Sequence, residues 1–271
     1  MQHKLIAFIG GGNMAQAIIL GLLKQGYPAE KIIVNDPNEE KRAFFANLGV
    51  ATSENNVESV IKAEVVLLAV KPQMMADVCS PLSAVDFSDK LLISIAAGIS
   101  TERLNALIPS ANAVVRVMPN TPALVGEGMA GLFAPKNTSE NYRTFAQDLL
   151  GAVGRTVWVD DETQMHAVTA ASGSSPAYFF LMLEAMQQAL IKMNIDEKTA
   201  RELVQQSMLG AAKMVTENPQ IALSTLRENV TSKGGTTAAA LAVFDAQHFN
   251  QTIEQAMQAC LSRSQEMETL F

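Results

Sequence analysis

The hydrophobic positions of this chain follow two patterns, which change over near residue 160. In the first part, short apolar runs recur between polar stretches: Leu5–Ile9, Lys31–Asn35, Val65–Val70, Leu91–Ile95 and Ala113–Val117. The later runs are apolar on both faces, as central parallel strands are when helices cover both sides. Between them the apolar positions take helical spacing, in Ala17–Leu23, in Glu39–Leu48 (Ala43, Phe44, Leu48), around Asn56–Lys62, from about Met74 to Leu82, and in Thr101–Leu107. Gly49 stands where a C-terminal cap belongs, and Ser100 or Thr101 where an N-cap belongs. A short extended piece is expected at Val50–Thr52. Two edge strands, within Val125–Phe133 and Thr156–Val159, are expected around a helix from Glu140 to Leu150. Strands alternating with helices predict an α/β fold of Rossmann type, a doubly wound, mainly parallel sheet with right-handed crossovers.

From Thr163 onward no strand pattern is left. Phe180, Leu183, Met186 and Leu190 recur at helical spacing, as do Leu203, Met208, Ala211 and Met214. The expected organisation is therefore a dinucleotide-binding Rossmann domain over residues 1–160 and an all-α domain over 161–271. Eight of the fourteen methionines lie beyond residue 160. Helices this apolar must bury more than one face, which predicts a homodimer formed through the helical half.

Composition narrows the class. Hydrophobic residues make up 48% of 271 and charged residues 17%, enough for a sizeable core. The net charge is −7 with no long basic run, which argues against nucleic acid or an anionic membrane as partner. Cys79 and Cys260 form no C-x-x-C pair, and His3, His166 and His248 are scattered, so no metal site is expected. No signal peptide or membrane-length apolar stretch is visible, and a cytoplasmic setting is expected.

The chemistry begins at the first strand end. Gly10, Gly12 and Ala15 fit G-x-G-x-x-G/A, with a strand before and a helix after. Gly10 permits the tight turn, Gly12 lets a pyrophosphate approach the backbone, and Ala15 lets the helix pack closely on the strand. The free N–H groups of the helix start then face the anion. Residues 10–14, 69–72, 95–98 and 118–122 all follow strands and are rich in small residues, Pro and Asn; together they form the expected wall of a dinucleotide cleft. In the helical half, Asn229–Thr237 offers hydroxyls, backbone N–H groups and two glycines before a helix expected at Ala238–Phe244. Such a loop can bind a small carboxylate without a cationic side chain.

The chain resembles the pyrroline-5-carboxylate reductase family over essentially its full length. The resemblance lies in Phe8–Met14, Ala69–Pro72, Ser94–Gly98, Met118–Pro122, Ser172–Tyr178 and Gly234–Thr237. One position departs: the family usually has Pro before the Gly-Gly-Thr pair, where this chain has Lys233. The resemblance implies reduction of 1-pyrroline-5-carboxylate to L-proline by hydride from a nicotinamide cofactor. It implies that Thr237 hydrogen-bonds the ring nitrogen, and that Ser232, Gly235 and Thr236 cradle the carboxylate. Asn229 would help close the site against cofactor or substrate, with Glu162 as a further polar contact to substrate. On the cofactor side, Ile9, Gly10, Gly11, Gly12, Asn13 and Met14 would take the pyrophosphate. Asn35, Asp36, Pro37 and Asn56 would lie at the adenosine ribose. Ala69, Val70, Lys71 and Pro72 would line the cleft, and Ala96 and Ala97 would border the nicotinamide ribose. An acid at Asp36 favours NADH by accepting a ribose 2′-hydroxyl, unless Pro37 redirects the chain and turns it away, whereas Asn35, Lys41 and Arg42 are near enough in sequence to meet a 2′-phosphate. Both cofactors stay open, with NADPH ahead on the resemblance, which further implies dimers that assemble into pentamers of dimers. Two alternatives remain: another imine or β-hydroxyacid reductase of the same plan, with Lys192, Lys198 or Lys213 available as acid, and a non-catalytic NAD(P) sensor.

Overall fold

A computed structural model describes residues 2–270. Eight strands form one sheet in the order β3-β2-β1-β4-β5-β6-β7-β8. In chain order they are β1 (Ile6–Ile9), β2 (Ile32–Asn35), β3 (Ala51–Ser53), β4 (Val65–Leu68), β5 (Leu91–Ser94), β6 (Ala113–Met118), β7 (Gly128–Phe133) and β8 (Gly154–Trp158). The first six are parallel, β7 runs antiparallel to β6, and β8 is parallel to β7. Strands β1, β4 and β5 have no exposed residue, which their unbroken apolar runs require. Helices α1 (Asn13–Lys24), α2 (Glu39–Ala46), α3 (Asn56–Lys62), α4 (Met75–Cys79), α5 (Thr101–Leu107) and α6 (Glu140–Gly151) accompany the sheet. Two apolar clusters result. One is built around Phe8, Ile18, Ile19, Leu22, Val34, Phe45 and Leu67, the other around Ile9, Leu68, Met75, Phe87 and Leu92.

The α/β fold expected from the sequence is present, with local differences. The expected strand from Val125 begins only at Gly128, because Pro122 starts a 3-10 turn over Thr121–Val125 that Gly126 closes at φ +78°. The helix expected over Met74–Leu82 is broken into short turns flanking α4, each opened by a proline, Pro72 and Pro81. Ser100 is the cap of α5, its Oγ accepting from the Arg103 N–H.

No strand follows β8 among the described residues, as expected. The helices are α7 (Gln164–Val168), α8 (Ser175–Lys192), α9 (Glu197–Glu217), α10 (Leu223–Asn229), α11 (Thr236–Ala246) and α12 (Phe249–Leu270), with a π-turn over Thr169–Gly173 between α7 and α8. Packing divides the chain differently from its secondary-structure pattern. One compact unit comprises residues 1–176 with 259–271, the other residues 177–258. The difference from a boundary at 160 comes from α7 and the π-turn, which lie on β7: a Cβ built on Gly131 would sit 2.4 Å from Val168 Cγ1.

Candidate active site

Strands β1, β4, β5 and β6 are adjacent and parallel, so their ends, and the segments 10–14, 69–72, 95–98 and 118–122, share one sheet edge as expected. The ladder continues past the strands: the Gly10 N–H donates to Asn35 O (2.7 Å) and the Ala69 N–H to Ile9 O (2.8 Å). Gly10 has φ +102°, and a Cβ there would lie 2.5 Å from Ala69 O, so only glycine fits. Gly12 is the reverse case. It is the N-cap of α1 at φ −75°, with no side-chain cap, and a Cβ built on it would meet nothing within 4 Å. The free N–H groups of a 12-residue helix therefore open onto unfilled space at the strand edge. The chemistry of these residues fits a dinucleotide pyrophosphate.

At the end of β2 the polar side chains turn inward. Asp36 is only 6% exposed and its carboxylate faces inward. It accepts from the Gly11 N–H (2.8 Å), the Asn38 N–H (2.9 Å) and Lys41 Nζ (3.1 Å). Burial alone raises its pKa, but the donors at Asn38, Gly11 and Lys41 outweigh burial and hold it below the ordinary aspartate value. Asn35 is also turned inward, donating to Phe8 O (3.4 Å) and accepting from the Ser59 hydroxyl (2.7 Å). Pro37 is exposed and Asn56 half-buried. A cleft of about 250 Å³ is lined here by Gly11, Asn13, Gln16, Glu40, Lys41, Phe44 and Phe45. The guanidinium of Arg42 turns away from it, donating to Asp36 O (2.8 Å) and Pro37 O (2.9 Å) and pairing with Glu54.

Further along the edge, Ala69, Val70 and Pro72 are half-buried and Lys71 is exposed. Ala96 is buried and Ala97 half-buried, followed by Gly98 at φ +70°. Asn120, in the fourth strand-end segment, is a bracket: its Nδ2 donates to Ser172 O in the π-turn (3.0 Å), and its Oδ1 accepts from the Met129 N–H (2.8 Å). Single-turn π-bulges recur at functional sites.

Glu162 belongs to the same unit, and the groups on its carboxylate are protein groups. It accepts from the Thr101 N–H (2.7 Å), the Thr101 hydroxyl (2.6 Å) and Arg116 Nη1 (3.0 Å).

The other residues picked from the sequence lie in the second unit. Asn229 ends α10. Thr236 and Thr237 are the first two residues of α11, so that helix starts two residues earlier than its apolar spacing predicts. Gly235 is its N-cap, with no side-chain cap, and a Cβ on Gly235 would lie 2.4 Å from Ser232 Oγ. Gly234 has φ +72°. Ser232, Lys233, Thr236 and Thr237 are exposed in the single chain. An uncapped helix start beside hydroxyls and glycines is suited to a carboxylate. Among the described residues no group of three or more His, Cys, Asp or Glu side chains can hold a metal, and no helix is long and apolar enough to cross a membrane.

Two family models match the chain. The one described as pyrroline-5-carboxylate reductase dimerisation covers residues 162–267, and the one described as NADP oxidoreductase, coenzyme F420-dependent, covers residues 5–98. The pyrroline-5-carboxylate reductase of Haemophilus influenzae is 96% identical over 271 residues, covering 100% of both chains. The chain belongs to the pyrroline-5-carboxylate reductase family. It is an NAD(P)-dependent oxidoreductase by that membership. Solved structures agree. The pyrroline-5-carboxylate reductase from Coxiella burnetii superposes with a TM-score of 0.92 at 38% identity, covering 98% of this chain and 99% of that one. The pyrroline carboxylate reductase of Plasmodium falciparum, solved with NADP bound, gives 0.89 at 29% identity and 99% coverage of both.

Proposed function

We propose that this chain reduces 1-pyrroline-5-carboxylate to L-proline with NADPH, the final step of proline biosynthesis. The observation that carries this reading is the 96% identity, over the whole of both chains, with a pyrroline-5-carboxylate reductase. When bound, the reduced nicotinamide supplies the hydride that adds to the imine carbon as the C=N bond becomes a C–N bond. The chain's own residues bind and orient. Ile9–Met14 hold the pyrophosphate on the open α1 start, Ala69–Pro72 line the cleft, and Ala96 and Ala97 border the nicotinamide ribose. Gly235, Thr236 and Ser232 cradle the substrate carboxylate with N–H and hydroxyl donors. The Thr237 hydroxyl is held to the ring nitrogen, where the proton of the cyclic iminium resides, and Asn229 closes the site. Glu162, with three protein donors already on it, serves better as a brace than as a direct substrate contact. A protonated imine is already a good electrophile, so proximity and orientation are the main demands on the protein.

The preference for NADPH rests on Asp36 and Lys41. With its carboxylate turned in on Gly11, Asn38 and Lys41, Asp36 is not presented to a ribose 2′-hydroxyl, and Lys41 stands on the cleft as a cation for a 2′-phosphate. The enzyme works as a homodimer through its helical half, further assembled as a pentamer of dimers, in the cytoplasm. The family model for dimerisation supports the self-association. The decisive experiment follows NADPH and NADH oxidation with pyrroline-5-carboxylate. The expected result is turnover with both and a higher kcat/KM with NADPH. Binding of either dinucleotide without any turnover would overturn the reading in favour of a sensor.

A further inference from the structure

One cluster of charged side chains includes Glu162, read above as a brace rather than a substrate contact, and is otherwise outside the proposed cofactor and substrate contacts. Arg116 interrupts the apolar run of β6 and is only 3% exposed. Its Nη1 donates to Glu162 Oε1 (3.0 Å) and to Glu268 Oε1 (2.7 Å). The Glu162 carboxylate also faces the start of α5, its Oε1 accepting from the Thr101 N–H and its Oε2 from the Thr101 hydroxyl. The other oxygen of Glu268 lies 3.0 Å from His166 Nε2, while His166 Nδ1 lies 2.9 Å from Ser264 Oγ. A carboxylate accepts only, so Nε2 is the donor in that contact. A buried guanidinium is tolerated where carboxylates pair with it, and each pairing ties together the elements that carry the partners. Here the tie joins β6, the start of α5, α7 and the last turn of α12, all within the first unit.

That last turn touches the strand-end loop 95–98. At Gly98 a Cβ would lie 2.8 Å from Met267 Cβ. The loop is thus backed by Met267 on one side and runs directly into Thr101, which Glu162 holds. We infer that Arg116, Glu162 and Glu268 are positioning residues that set loop 95–98 for the nicotinamide end of the cofactor. This rests on the reading above that Ala96 and Ala97 border the nicotinamide ribose. With the tie cut, the loop relaxes, the nicotinamide half binds less well, and the adenosine half, some strands away at Lys41, is untouched.

The test uses the full-length enzyme with Glu268→Gln, which keeps size and one acceptor, and Thr101→Val, which removes only the hydroxyl. Three quantities are measured: the Kd of NADPH by its fluorescence, the Kd of 2′,5′-ADP as a probe for the adenosine half alone, and the KM of each substrate. Each variant is expected to raise the Kd and KM of NADPH about fivefold, the effect of one lost hydrogen bond. The Kd of 2′,5′-ADP and the KM of pyrroline-5-carboxylate should stay within about twofold. Arg116→Lys, which keeps the charge, should retain part of the NADPH affinity that Arg116→Met loses. A fall in thermal stability with NADPH affinity unchanged means the cluster only holds the fold, and overturns the inference. Equal weakening of NADPH and 2′,5′-ADP also overturns it, since the loop would then not address the nicotinamide end. Because binding is read without turnover, a failure of the proposed reduction shows up separately, as intact NADPH binding without product.

Discussion

Asp36 shows how one residue can carry opposite meanings depending on where its carboxylate points. At the end of β2 an acid is the usual partner of a ribose hydroxyl. Here it locks the glycine loop to the start of α2 through Gly11 and Asn38. Its pKa is held below the ordinary value, so its contribution to stability is present above that value and is lost as the pH falls through the lowered one. Asp36→Asn should therefore lose less stability than the parent on acidification below about pH 4, read as urea midpoints across pH. At Lys41 the expectation concerns selectivity. Lys41→Ala should lower kcat/KM with NADPH about tenfold, as loss of a charge-assisted contact does, and change kcat/KM with NADH little. A loss of equal size with both cofactors would refute the 2′-phosphate assignment. At Thr237, removal of the hydroxyl in Thr237→Ala should cost about 1–3 kcal/mol of transition-state stabilisation, measured from kcat/KM for pyrroline-5-carboxylate. Unchanged kinetics would remove Thr237 from the site.

At the scale of elements, the turn between β1 and α1 separates two uses of glycine. Gly10 is required by the fold itself, through φ +102° and the nearness of Ala69 O. Gly10→Ala should destabilise the protein by about 1–3 kcal/mol and also impair cofactor binding, as urea unfolding and dinucleotide titration would record. Gly12 has an ordinary φ of −75° and free space where a Cβ would go. Gly12→Ala should fold with nearly parental stability and yet raise the KM of NADPH, since the new methyl occupies the path of the pyrophosphate. Both glycines were legible in the sequence, as were β1, β4, β5 and β6, because a doubly wound sheet writes its strand ends as turn chemistry after an apolar run. The inward turn of Asp36 was legible only as an alternative, through Pro37, since periodicity carries no information about where a side chain at a strand end points. Arg116 left a faint signal, a lone cation in an apolar strand, but its partners Glu162 and Glu268 lie 46 and 152 residues away in sequence. The π-turn over Thr169–Gly173 runs into Ser172–Tyr178, a segment that carries the family resemblance but no periodicity signal for such a turn. Its cause is tertiary, through Asn120 and the packing of Gly131 and Gly173 against Val168 and Met118.

At the scale of the whole molecule, the two units differ in how they bury apolar surface. The first holds both apolar clusters. In the second, over residues 177–258, only Ala200 and Val204 are buried hydrophobics, while Phe179, Phe180, Leu181, Met193, Leu203 and Met214 are each more than half exposed in the single chain. A set of helices without a core of its own cannot offset the entropy of ordering its backbone. The missing burial has to come from another chain, as the match of residues 162–267 to a dimerisation family implies. Folding and association should then be one process. The midpoint of thermal or urea unfolding should rise with protein concentration, as it does when a partner subunit binds only the folded state. Phe180→Glu, placing a charge on this surface, should shift sedimentation from dimer towards monomer and lower the unfolding midpoint at a given concentration, since an unpaired charge in an apolar interface is strongly unfavourable. Because the Thr237 end of α11 belongs to the same coreless unit, activity should fall in step with the dimer fraction across a dilution series. An active species that sediments as a monomer, with an unfolding midpoint independent of concentration, would show that these helices are ordered by some means other than a second copy of the chain.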